Sequence, residues 1–465
     1  MTGILDTLAD RLPAAALRPM EPRYLEEPRG RWHGLGAALV APATTAEVAE
    51  TIRACAQTGT PVIPYGGGTG LVGGQLAQSG TPPVILSMER MRTIRDVDAA
   101  AGTMTVEAGA ILAELHQAAE AQGWIFPLTL ASQGSARIGG LLATNAGGVN
   151  VLRYGNARDL CLGIEAVLPD GTVMNTLSPL RKNNTGYDLR HLLIGAEGTL
   201  GVITAATLRL FPKPERDGAA LMVVPDADAA LALLRMAQAR IGEGISAFEL
   251  IGRMGLDFLA EVGPEVKQPF PDHPAWTCLI DLGLSGGADP SVALEALFAE
   301  AFDAGLVTDG VIAQSEGQRQ AFWSVRESIP LANRRIGAIS SHDISVPVAR
   351  IPAFIARAPG KLAEIGDYRI NCFGHLGDGN LHYNVFPMPG RTRADHESER
   401  GAIKRCVHDM VHEMGGSVSA EHGIGRFKVD DLERYGDPGK LAAMRAIKAA
   451  LDPKGIMNPG AVLRP

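Results

Sequence analysis

PVIPYGGGTGLVGGQ, residues 61–75, is the stretch on which the reading of this chain turns. The short apolar run Pro61 to Pro64 predicts a strand that opens into Gly66, Gly67, Gly68, Gly70, Gly73 and Gly74. Glycines this dense put no Cβ between the backbone amides and a ligand. Successive exposed N–H groups form a concavity suited to a phosphate or pyrophosphate. Gly68 to Gly73 also satisfies the G-x-G-x-x-G spacing, but that fingerprint needs a helix beginning inside the glycines. Here the loop continues through Gln78-Ser79-Gly80-Thr81-Pro82-Pro83 into a strand-like Val84-Ile85-Leu86. The expectation is a pyrophosphate loop between two strands, not a nicotinamide-type dinucleotide fold. A flexible surface loop is the other reading of the stretch taken alone.

Outward from that loop, 465 residues exceed what one hydrophobic core organises, so two or three domains are expected. An apolar content of 46% with 20% charged residues suits a globular enzyme. A net charge of −8 argues against nucleic acid as partner, which needs a basic face. It leaves an anionic substrate open, since one local arginine can hold it. The five cysteines are scattered and never spaced as CxxC, which predicts a reducing compartment and no zinc ribbon. The N-terminus carries Asp6 and Asp10 and lacks the basic-then-apolar pattern of a signal peptide. With no long uncharged apolar window either, the expected location is cytoplasmic.

A helix is expected over 44–58, strands over 84–88 and 103–107, and a helix over 111–122. A second glycine-rich segment, SQGSARIGGLLATNAGGVNVLRYG, starts at Ser132. Small residues throughout it suggest backbone lying against something flat and large, with Ser135, Thr144 and Asn145 as polar contacts. A tightly packed helix with glycine turns is the plain alternative. Asp170-Gly171 marks a hairpin within 163–176, and residues 192–210 alternate around Gly195, Gly198 and Gly201. Phe211-Pro212-Lys213-Pro214 then breaks the pattern, and the first boundary is placed there.

Beyond it, helices alternate with strands that lack glycine loops, which predicts an α+β cap domain. A short strand is expected at Ser345-Val346-Pro347-Val348, and a helix carries Ala321 to Glu327. In CFGHLGDGNLHYNVF, residues 372–386, Asp378-Gly379-Asn380 turns between two strands. His382 and Asn384 then share one face, with His375 across the ladder. Two histidines beside an amide suit a divalent metal, although such pairs are more often plain surface or core residues. Glu421 in SVSAEHGIG would complete a His, His, carboxylate set with an open position, and His422 would be a neighbouring base. A helix cap or loop salt bridge is the plain reading of that acid.

The segments PYGGGTGLVGG, GSARIGGLLATNAGGVNVLRYG, NTGYDLRHLLIGAEGTLGVIT, GHLGDGNLHYNV, SAEHGIG and LDPKGIMNPG, in this order, resemble the FAD-linked D-2-hydroxyacid dehydrogenases. Those are vanillyl-alcohol-oxidase-like, PCMH-type flavoproteins, and the resemblance runs from about residue 30 to the C-terminus. It implies a PCMH-type FAD-binding domain over 1–215 and a substrate (cap) domain with an antiparallel sheet over 216–410. A segment over 411–465 would complete the active site and pack back near the FAD domain. For FAD it implies Gly66, Gly67, Gly68, Thr69, Gly70 and Gly74 at the pyrophosphate. Gly134, Ser135, Gly139, Gly140, Asn145, Gly148, Glu197, Gly198, Val202 and Asn458 would line the remainder. It further implies His375, His382 and Glu421 around zinc or manganese, Arg326 and Asn384 on the substrate, and His422 as base.

The implied reaction is oxidation of a D-2-hydroxyacid to the 2-oxoacid, with hydride passing to flavin N5. GHLGDGNLHYNV and SAEHGIG look closest to D-2-hydroxyglutarate dehydrogenases. Ser341 stands where that subgroup usually has a lysine, and Pro330 where it has a threonine, which leaves D-lactate or another D-2-hydroxyacid open. The electron acceptor would be an electron-transfer flavoprotein or a quinone, and a homodimer is compatible with the family. Two other classes stay in view: a non-redox FAD-domain transferase resembling the alkyl-ether-lipid synthases, and a flavin-free metal hydrolase.

Overall fold

The computed structural model describes residues 3–30 and 32–464, which gather into two compact units. The first comprises residues up to Gly148, Gly155–Lys213 and Glu421 onward; the second comprises Val149–Tyr154 and Pro214–Ala420. The fold class is α+β, as expected.

In the first unit, the helix Thr45–Thr58 starts where Thr44 accepts from the Glu47 amide and stops at Gly59 in the left-handed region. Its Val48, Ile52 and Cys55 are fully buried against Val40, Val62, Val84 and Leu86 of a four-stranded sheet. Burial of a side chain the size of Ile52 contributes about 1.5–3 kcal/mol. Val62–Tyr65 pairs in parallel with Val84–Ser87, and the glycine stretch runs between them without a helix. Val62–Tyr65 is the sheet's outer strand, which is why Pro64, lacking an N–H, is tolerated within it. Its open edge is covered by residues 456–458: Val62 donates to the Ile456 carbonyl at 2.9 Å and accepts from the Asn458 amide at 2.9 Å. The same unit holds a five-stranded antiparallel sheet, in the order Ile94–Asp98, Thr103–Glu107, Val202–Arg209, Cys161–Val167, Val173–Asn175. The last two strands are the hairpin foreseen at Asp170-Gly171.

One expectation for this unit needs correction. Residues 192–210 are not one alternating strand: a short helix, Leu189–Leu193, leads into a loop before the strand Val202–Arg209. Gly195, Gly198 and Gly201 all have positive φ, and Glu197 does too at 51°, so the backbone cannot stay extended there.

The second unit is built on a seven-stranded, wholly antiparallel sheet. Its order is Asp309–Ile312, Arg216–Val224, Trp276–Leu284, Ile245–Gly252, Arg369–His375, Asn380–Phe386, Ser340–Ser345. On one face, Ile251, Phe373 and Phe386 pack with Phe258, Phe322, Val325 and Ile329 from the helices Arg253–Val262 and Glu316–Ile336. On the other, Tyr383 meets Phe354 edge-on at 5.2 Å. The expected strand at 345–348 lies earlier, at Ser340–Ser345. Pro347 ends the pairing, and the polar run Ser340-Ser341-His342-Asp343 hides the strand because one of its faces is occupied by polar partners.

Candidate functional site

The first unit holds a cavity lined by Gly66, Gly67, Gly68, Thr69, Gly70 and Gly74 together with Gly139, Gly140, Glu197, Gly198, Val202, His422 and Asn458. Most of the residues singled out for FAD therefore converge. Gly134, Ser135, Asn145 and Gly148 do not line it. The Ser135 carbonyl instead packs behind Gly67, 2.2 Å from where a Cβ would sit. Asn145 uses its side-chain oxygen to accept from the Arg158 amide at 3.0 Å, and Gly148 abuts the Thr129 carbonyl.

The cavity leaves room for a bound group against the glycine backbone. At Gly140 an added Cβ would meet only the Gly66 Cα, at 3.7 Å, so the space there belongs to the cavity and not to protein. Among the described residues lining it, Arg137 is the one Arg or Lys. Its guanidinium donates to the Gly109 carbonyl at 2.5 Å, and burial lowers its pKa, with Glu89 and Glu114 opposing that shift.

The glycine loop is propped from the C-terminal segment. Arg426 donates to the carbonyls of Gly73 (3.1 Å), Gly74 (2.9 Å) and Pro459 (3.0 Å), and to the Asn458 side chain (2.7 Å). Burial depresses its pKa to about 10, with Glu197 acting the other way. Gly73, at φ 71°, lies against the Phe427 ring, where a Cβ would come within 2.6 Å of ring carbons. Glu197 accepts from the amides of Ile424 and Gly425, both at 2.7 Å. Burial pushes its carboxyl pKa up, and those two amides restrain the shift. Arg426 escaped the sequence reading because a lone Arg-Phe-Lys after SAEHGIG looks like solvated surface.

The second unit carries the other candidate residues. His375 and His382 lie on adjacent strands with ring centroids 5.5 Å apart, on the face shared with Asn384, Asp343 and Ser341. Asn384 is buried and donates to the His382 carbonyl at 3.3 Å. Arg326, on the helix Glu316–Ile336, is 6% exposed and stacks over the Phe373 ring at 4.7 Å.

Between His375 and Arg326 lies a residue the sequence reading passed over. Glu249 is fully buried on Ile245–Gly252, directly opposite His375 in the ladder. One oxygen contacts His375 Nδ1 at 2.5 Å; the other accepts from Arg326 Nε at 2.6 Å. Burial alone would raise its pKa, but the His375 and Arg326 charges hold it down to about 2. The available signal was a single charge inside the apolar run Ala247-Phe248-Glu249-Leu250-Ile251. Asp343, buried and bonded to the Asn380 side chain at 3.0 Å, was likewise missed.

The donor chemistry fits a divalent ion such as zinc or manganese: two imidazoles close together, one of them backed by a carboxylate on its far nitrogen. Glu421 follows Ala420 directly in the chain, and the Ala420 amide donates to the carbonyl of Asp343, the ladder partner of His382.

Comparison with known proteins accords with these features. A family model described as FAD linked oxidases, C-terminal domain, matches residues 213–462, and one described as FAD binding domain matches residues 36–177. D-2-hydroxyglutarate dehydrogenase, mitochondrial, of Bos taurus is 39% identical over 446 residues, 94% of this chain and 80% of that protein. D-2-hydroxyglutarate dehydrogenase of Xanthomonas citri pv. viticola is 35% identical over 459 residues, 98% of this chain and 95% of that protein. Among solved structures, p-cresol methylhydroxylase with substrate bound aligns with TM-score 0.74 at 18% identity, over 99% of this chain and 96% of that one. Alkyldihydroxyacetonephosphate synthase gives 0.72 at 18% identity, over 98% and 84%. These two likenesses are of fold alone. No helix among the described residues is long and apolar enough to cross a membrane.

Proposed function

This chain belongs to the FAD-linked oxidase family that contains the D-2-hydroxyglutarate dehydrogenases, and on that premise we propose that it oxidises a D-2-hydroxyacid, D-2-hydroxyglutarate foremost, to the 2-oxoacid. The observation that carries the reading is the position of His422 in the lining of the same cavity as Gly66 to Gly70 and Glu197. It supports a role for His422 as proton acceptor at the wall of the FAD cradle. Bound in that cradle, FAD supplies the acceptor for the substrate's Cα hydride.

The chain's own residues divide the remaining work. The Arg326 guanidinium binds the substrate carboxylate by charge-assisted hydrogen bonds, and Asn384 orients the hydroxyacid beside it. His422 takes the hydroxyl proton, a general-base contribution of about 10²–10⁴-fold. His375, His382 and Glu421 would hold zinc or manganese, whose Lewis acidity lowers the hydroxyl pKa. The proposed electron acceptor is an electron-transfer flavoprotein or a quinone, a class consistent with a glycine loop that lacks the helix of a nicotinamide site.

D-lactate is the second reading, favoured by two positions. Ser341, opposite Asn384 in the ladder, and Pro330, within the Arg326 helix, offer no cation for a second carboxylate. Anaerobic titration of the yellow protein with D- and L-2-hydroxyacids tests the function. Stoichiometric bleaching by a D-isomer is expected; bleaching by L-isomers alone, or a colourless protein, would sink the proposal. Half-saturation by D-2-hydroxyglutarate against D-lactate then ranks the two substrates.

A further inference from the structure

The geometry points to Glu249 as a positioning residue that ties the substrate's carboxylate clamp to the metal ligand His375, an inference that rests on the function just proposed. Three side chains carry it: Glu249 at 0% exposure, Arg326 at 6% and His375 at 7%. A carboxylate with no access to water is costly unless its oxygens are taken up by charged or hydrogen-bonding partners. Both Glu249 oxygens are so engaged, one on each partner.

The two bonds have separate consequences. When the His375 imidazole is neutral, a carboxylate facing Nδ1 keeps the proton on that nitrogen and so leaves the Nε2 lone pair for a metal. On the other side, Arg326 commits Nε to Glu249. Its two Nη groups have no acceptor among the described residues and form the fork left for a ligand's carboxylate. The Phe373 ring packs against the guanidinium, its centroid 4.7 Å from the guanidinium carbon.

The chemistry of a 2-hydroxyacid gives this linkage its purpose. Carboxylate carbon and hydroxyl carbon are bonded neighbours, so the groups that hold them must keep a fixed spacing. One buried carboxylate gripping both holders supplies that spacing. A loop or a water would let each drift separately. The strand pairing Glu249↔His375 anchors the carboxylate in the sheet, a more rigid support than a loop.

The test uses FAD-loaded protein with zinc as the metal probe. Glu249→Gln keeps the shape and removes the charge. We expect zinc affinity, measured against a competing chelator, to fall about 10–100-fold. KM for the D-2-hydroxyacid should rise at least tenfold, with FAD content unchanged. His375→Ala is the control for the underlying reading, since it should abolish tight zinc binding. Zinc binding in the wild type that is indifferent to His375→Ala overturns the metal reading and this inference together. His375-dependent binding in the wild type, with zinc affinity and KM in Glu249→Gln both within twofold of it, overturns the inference alone. Should Glu249→Gln fail to retain FAD, Glu249→Asp replaces it. That variant keeps the charge but is one methylene too short to span both partners. It should weaken zinc and raise KM at least fivefold, and wild-type values for both would overturn the inference.

Discussion

Asn458 donates its side-chain amide to the Glu197 carbonyl at 2.8 Å and to the Gly74 carbonyl at 3.0 Å. Partners 261 and 384 residues apart in sequence are thus held by one amide. Asn458 sits at φ 41° and Glu197 at φ 51°, two non-glycine residues in a region most side chains avoid. Such strain persists only where surrounding bonds impose it, and both residues line the cavity.

Asn458→Ala should therefore loosen the cradle. The Glu197 carbonyl loses its Asn458 donor, the Gly74 carbonyl keeps only its bond from Arg426, and the Arg426 bond to the Asn458 oxygen goes as well, at a cost of about 1–3 kcal/mol. The expected outcome is a lower melting temperature together with a reduced ratio of flavin to protein absorbance. A variant that melts lower but keeps its full flavin would show that the bond serves the fold and not the cradle.

Gly140→Leu should obstruct the cradle without loosening it. Its Cβ meets almost no protein, so the side chain enters the cavity. FAD affinity should drop more than tenfold while the stability of the flavin-free protein stays within about 1 kcal/mol, the usual scale for a change that creates no core clash. Flavin titration of the apoprotein and thermal unfolding check the two halves separately. Undiminished FAD binding would place the cofactor elsewhere.

His422→Ala should lower turnover by about 10²–10⁴-fold with FAD retained. Chelation should abolish turnover, and added zinc or manganese should restore it, without change in the flavin spectrum. Normal turnover in the variant removes the histidine from the mechanism, and chelator-insensitive activity removes the metal.

Glu165 predicts an acid-dependent loss of stability. Its buried carboxylate accepts from Thr45 at 2.7 Å, Thr204 at 2.8 Å and Arg95 at 3.4 Å. Burial pushes its pKa up, but these donors win and hold it below the ordinary carboxylate range. A folded pKa below the unfolded one contributes stability that is present above about pH 4.3 and lost as pH falls through the folded value. Glu165→Gln should be less stable than wild type near pH 7, and that gap should close on acidification. Melting temperatures from pH 7 to pH 3 check this; a gap independent of pH contradicts it.

Local chemistry made part of this structure readable from the chain. Thr44 with Glu47 signals a helix start, Asp170-Gly171 a hairpin, and Gly66 to Gly74 a loop suited to a phosphate. The motifs also carry His375, His382, Asn384 and His422, whose side chains are chemically conspicuous. What stayed hidden depends on long-range pairing. Glu249 is a single charge in an apolar strand, and only the register that sets it opposite His375 gives it meaning. Ser340–Ser345 reads as a loop until its polar face is matched to His382 and Asn384. Arg426 looks like surface until the Gly73 and Gly74 carbonyls arrive beside it.

The covering of the Val62–Tyr65 edge by residues 456–458 has a consequence for biosynthesis. Translation delivers the glycines early, but the groups that brace them, Arg426 and Asn458, emerge from the ribosome hundreds of codons later. The cradle therefore stays unbraced until the segment carrying Arg426 and Asn458 has been made, 352 and 384 residues after Gly74, and tight flavin capture is expected only then. Cells producing this protein faster than they supply riboflavin should accumulate a colourless pool that turns yellow when flavin is fed.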